Sequence, residues 1–198
     1  MKLKYTTITL IILVVGIFFI YKQQNDNSLY STLKKEGFNL ELINDFQINK
    51  DNLKENPYKS TIILAKNDNL PAGGETIKLK LLYDMNQEKA EEYIDDQKVI
   101  LTSLYEPIPP PYPEFIGQEV SCDEKYKPIL KEHELGEYYL LYAGERFGYG
   151  ICEEEMVKHK SLLGYFYCDN KLIKLEYFID KNQNFDLVEK IIKDLKCI

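Results

Sequence analysis

The sequence predicts an α+β domain, a largely antiparallel sheet with packed helices, preceded by one N-terminal transmembrane helix. Three observations predict it. Short runs such as Ile77, Leu79, Leu81 and Tyr83 alternate with polar residues, the mark of half-buried strands. Two stretches, Gln87 to Tyr105 and Asp186 to Cys197, carry apolar residues at helical spacing. Thr6 to Tyr21 is an apolar run that no charge interrupts.

That run organises the chain. Sixteen residues at about 1.5 Å each reach roughly 24 Å, the short end of a membrane span, which Lys4 and Lys22 lengthen by snorkelling. The division that follows is residues 1–5 as a cytoplasmic N-terminus, 6–22 as the anchor, 23–28 as a tether and 29–198 as a single extracytoplasmic domain. Lys2 and Lys4 precede the span and only Lys22 follows it closely, so the positive-inside rule puts the domain outside the cell membrane. A cleaved secretory signal is the alternative, although Tyr21-Lys22-Gln23-Gln24 offers no small-residue cleavage pair.

Leu29 to Glu36 reads as a brief helix ended by Gly37 at the C′ position. Phe38, Leu40 and Leu42 alternate as a strand, and Phe46 and Ile48 begin a second after the Asn44-Asp45 turn. Ser60 to Lys66 is a compact apolar strand, and Ile77 to Tyr83 another. Asn86 caps the helix that runs to Pro107. Glu106 to Phe115, EPIPPPYPEF, is an extended polyproline stretch, because proline fixes φ and removes a donor. It reads as a stiff connector, or as a ligand for an aromatic-lined groove on a protein partner. From Cys122 to Glu137 the chain is charged, with no element assigned. Tyr138 to Ala143 is a strand covered on both faces, and Glu153 to Glu155 open a short helix toward His159. Asp169-Asn170 between two apolar runs signals a hairpin. Asp186 to Cys197 closes the chain as an amphipathic helix.

A hydrophobic content of 44% with 16 Tyr and 9 Phe suits a folded domain rather than a disordered one. The net charge of −7 argues against nucleic acid as a partner. The four cysteines, Cys122, Cys152, Cys168 and Cys197, match no zinc ribbon or finger, and outside the membrane they read as two disulfides. Three pairings are open, of which Cys152–Cys168 with Cys122–Cys197 is preferred; its shorter loop would stabilise by about 3 kcal/mol.

The stretches Gly37-Phe38-Asn39-Leu40-Glu41-Leu42 with Asn44-Asp45-Phe46, and Ile191-Ile192-Lys193-Asp194-Leu195, are where the chain resembles the PsbP-like domains of photosynthetic and bacterial exported proteins. It departs from them in lacking tryptophan and a proline at the first turn, and in its four cysteines. The resemblance implies a binding or assembly module and transfers no site residues.

Motifs that would carry chemistry are missing: there is no HExxH, no GxSxG and no GK[ST]. His133 and His159 sit among charges and read as surface histidines; Glu155 and His159 on one helix face would supply two metal ligands at most. No cofactor or metal is expected. Arg146, the only arginine, lies with Tyr149 in the loop Gly144 to Gly150, and an arginine beside aromatics suits a carboxylate or a sugar. An ion pair with Glu145 is the structural reading of the same residue. The functional expectation is a non-catalytic, membrane-anchored binding or assembly module. The alternative is an envelope enzyme of hydrolase type with an acidic site.

Overall fold

The computed structural model describes residues 31–48, 59–66, 75–106, 122–145 and 148–197. The predicted anchor and tether, Arg146 and nearly all of the proline-rich stretch lie outside them. No helix among the described residues is long and apolar enough to cross a membrane.

The first helix, α1, covers residues 31–35 and stops as its sequence predicts. Gly37 takes φ +84°, the Phe38 N–H donates to the Leu33 carbonyl at 3.1 Å, and the Gly37 N–H donates to that of Lys34 at 3.2 Å. This is the Schellman pattern, completed by the buried pair Leu33 and Phe38. Glycine is also required because a Cβ there would stand 1.9 Å from the Lys196 carbonyl oxygen. Phe38 to Leu42 does not form the expected strand. Asn39 instead caps a 3-10 turn over Leu40–Leu42, its side chain accepting from the Glu41 N–H at 3.1 Å. A short polar side chain that bonds its own backbone favours a turn over a ladder.

Seven strands follow among the described residues: β1 Gln47–Ile48, β2 Lys59–Ala65, β3 Thr76–Leu82, β4 Ile129–His133, β5 Gly136–Ala143, β6 His159–Cys168 and β7 Lys171–Asp180. All pair antiparallel in the order β1-β2-β3-β7-β6-β5-β4. Two meanders, β1–β3 and β4–β7, thus meet along β3 and β7, and the sheet class is the one predicted. Asp169 and Asn170 take φ of 43° and 60°, as the two-residue turn between β6 and β7 demands. Strand β4 lies within the charged stretch to which the sequence assigned no element. It is the edge strand, and all five of its residues are exposed or half-buried, so it carries no alternation to read.

Helix α2, Gln87–Ser103, follows β3, and helix α3, Asp186–Asp194, follows β7. They cover opposite faces. On one face α1 and α3 pack Leu33, Val188, Ile191 and Ile192 against Leu79, Leu175, Tyr177 and Phe166. Each fully buried leucine or isoleucine in this cluster contributes about 2 kcal/mol. On the other face α2 lays Ala90 and Leu101 over Tyr139, Leu141, Leu163 and Tyr165. The short helix expected after Glu153 is a 3-10 turn, Glu154–Met156, and His159 opens β6, so Glu155 and His159 do not share a helix face.

Two disulfides form, but not in the preferred pairing: Cys122 bonds Cys152 and Cys168 bonds Cys197, with Cα separations of 4.4 and 5.4 Å. Geometry decides against Cys152–Cys168. Cys168 ends β6 at the hairpin, beside the start of α2, where the Met85 N–H donates to the Asn170 carbonyl at 2.9 Å. Helix α2 then runs roughly 25 Å along the sheet before Leu104 meets Gly150, two residues from Cys152. Loop length along the chain gives no view of this distance across it.

Candidate functional site

Three places on the surface answer to the functional expectations. The first is the loop after β5. The Gly144 N–H donates to the Gly148 carbonyl at 2.8 Å. Gly150 then takes φ +82°, with Leu104 side-chain and backbone atoms 3.3 Å from where a Cβ would stand. This turns Tyr149 inward, where its ring stacks on Phe178 at 6.2 Å between centroids. The Tyr149 hydroxyl is buried and faces that of Ser161. Burial first, and the Glu176 carboxylate second, push its pKa upward, so it stays a neutral phenol. Cys152 ties the end of this loop to Cys122, just beyond the proline-rich stretch.

The second place is the C-terminal half of α2. Val99 is 69% exposed, Ile100 55% and Leu104 41%. The same helix exposes Glu91, Glu92, Asp95 and Asp96 one or two turns earlier. An apolar triplet at a helix end is more than a scattered surface residue. Glu106 and the proline-rich stretch follow it directly.

The third is an open groove of about 460 Å³ between α2 and the β4–β5 hairpin, lined by Glu91, Asp95, Lys98, Glu132, His133 and Glu137. Lys98, Glu137 and His133 among them are engaged. Glu137 holds Lys98 at 3.1 Å and accepts from the Tyr139 hydroxyl at 2.6 Å. The His133 Nδ1 accepts from the Leu135 N–H at 3.2 Å, and its ring stands edge-on to Phe166. No cluster of three or more His, Cys, Asp or Glu within reach of one metal ion occurs among the described residues.

Glu176 on β7 is a carboxylate that the sequence did not single out. Burial raises its pKa, but Lys174 at 3.0 Å and Lys78 at 3.2 Å outweigh it and hold the group below the ordinary carboxylate range. It is therefore a fixed anion, the reverse of a general acid. The signal was present in the sequence, since Lys78 and Lys80 alternate on β3, and Lys174 and Glu176 on β7. Only the pairing of β3 with β7 brings the two sets together.

No protein-family model matches the chain, and neither a curated protein nor a solved structure does.

Proposed function

We propose that the chain is a membrane-tethered extracytoplasmic binding or assembly module without catalysis of its own. Residues 6–22 hold it in the cell membrane and the domain docks a protein partner. The observation that carries this reading is the exposed triplet Val99, Ile100 and Leu104 at the point where the chain enters the proline-rich stretch, 106–115. Hydrophobic side chains held out by a rigid helix cost solubility and gain from being covered. The two disulfides support an oxidising location, since such bonds persist outside the cytosol. The PsbP-like resemblance points the same way. Of the stretches that carry it, Gly37 to Leu42 forms a turn, and Ile191 to Leu195 spans the end of α3.

The test is a photo-crosslinking side chain placed at Val99 of the full-length chain in its own membrane. The expected result is a discrete protein adduct that is lost when Ile100 and Leu104 are changed to serine. An adduct pattern no different from that of a crosslinker at the exposed Glu153 would overturn the reading. A second reading, an envelope hydrolase, rests on the acidic groove. It would require Glu132→Gln or His133→Gln to abolish a hydrolytic activity of the purified chain.

A further inference from the structure

We propose that the outer edge of β4 takes up, antiparallel, an extended segment of a partner protein that carries a lysine or arginine two positions before a pair of adjacent apolar residues. This goes beyond docking at the α2 triplet and stands on a different element. Strand β4 pairs with β5, and no described strand pairs with its other side. Alternate backbone N–H and C=O groups along that side are therefore set out as a template for one more strand. Edge strands are ordinarily guarded by a projecting lysine. Here the lysine is withdrawn, because Lys131 reaches Glu189 of α3 at 2.6 Å. Left in the open are two adjacent apolar residues, Ile129 at 57% and Leu130 at 46% exposed. Neighbouring residues of a strand point to opposite faces, so the edge offers an apolar contact on each face of the sheet.

The surroundings of the edge select its occupant. Leu130 stands opposite Tyr139, and Ile129 opposite Leu140. Leu130 and Glu132 thus lie on the face that α2 covers, beside the groove that carries Glu91, Asp95 and Glu137. Lys98, the cation among its lining residues, is already held by Glu137. Ile129 lies on the other face, in a small hollow with Leu140 and Phe185. An added strand would set one side chain beside Glu132 at the rim of the acidic groove, where charge complementarity calls for a cation. Its next two contacts, beside Leu130 and Ile129, call for apolar side chains. Main-chain bonds would give such a complex its affinity, and these alternating neighbours its specificity. A second copy of the chain is the poorer occupant. Two-fold pairing over all five residues of β4 would set Lys131 against Lys131 and Leu130 against Glu132. It would also join two molecules of net charge −7.

The experiment titrates the full-length chain, in neutral detergent micelles, into two dye-labelled capped peptides, TTKTVVTT and TTETVVTT, read by fluorescence anisotropy. Saturable binding of the lysine peptide is expected, about fivefold tighter than that of the glutamate peptide and weaker as salt rises. Two further versions of the lysine peptide carry N-methyl groups at alternate residues, in opposite phase. The one whose methyl groups face β4 should lose binding, and the other should keep it. Leu130→Lys should abolish binding by restoring a guard to the edge. If circular dichroism shows that variant misfolded, Glu132→Gln carries the test and should weaken the lysine peptide about threefold. Failure of the lysine peptide to bind would overturn the proposal. So would equal binding of the two labelled peptides, equal binding of the two N-methylated ones, or affinity unmoved by the changes in β4. Light scattering that found dimers which Leu130→Lys dissolves would likewise overturn it in favour of a second copy.

Discussion

The sequence sets His159 among surface charges, between Lys158 and Lys160. It is 8% exposed, at the first position of β6 and opposite Asp180. Burial lowers its pKa, and the Asp180 carboxylate offsets part of that shift. The unfolded chain therefore takes up a proton at higher pH than the folded one, so stability rises with pH through this window and is lost as pH falls below about 6.5. The thermal midpoint should drop between pH 7 and pH 5.5, and His159→Gln should flatten the curve. An identical slope in the two proteins would refute the assignment. Residues whose roles are set by near neighbours were legible in advance: Gly37 and the Asp169-Asn170 turn both behave as their residue types require. His159 was not, because its cover comes from elements far along the chain.

Helix α2 begins where its sequence says. The Asn86 side chain accepts from the Lys89 N–H at 2.9 Å. Asn86→Ala should cost about 1 kcal/mol, read as a lower urea midpoint with an unchanged m value. Most strands were equally plain, and β2, β3, β6 and β7 fall within a residue or two of their apolar runs, save that β6 starts earlier, at His159. Two elements depart from their sequence patterns for opposite reasons. The alternation at Phe38, Leu40 and Leu42 imitates a strand, but Asn39 commits the backbone to a turn that still points Leu40 and Leu42 at the core. Strand β4 shows no alternation, because a ladder with one neighbour at the sheet edge leaves both of its faces wet.

At the level of the assembled domain, the disulfides are the clearest case of what local reading misses. Their presence followed from cysteine number and the expected compartment, while their partners depended on which ends of the sheet the cysteines reach. Proteolysis without reductant, followed by mass spectrometry, should recover the peptide pairs Cys122–Cys152 and Cys168–Cys197. The double change Cys122→Ser with Cys152→Ser opens a loop with a sequence separation of 30 and should cost about 3.5 kcal/mol, on the chain-entropy account. The candidate sites divide in the same way. Tyr149 was named because it lies beside Arg146 and glycines, a linear cue. The lysines around Glu176 sit on strands that look ordinary until they are laid side by side.

The seam between the two meanders governs when this protein is able to fold at all. Lys78 and Glu176, which meet across it, are 98 residues apart in the chain. Strands β1 to β3 therefore wait, edge open, until β7 has been made, and only then does the ladder zip shut. A nascent chain stalled before Lys171 has no partner for β3, so its unpaired edge becomes a template for sticking to its own copies. Completion, more than any single contact, separates a working molecule from an aggregate.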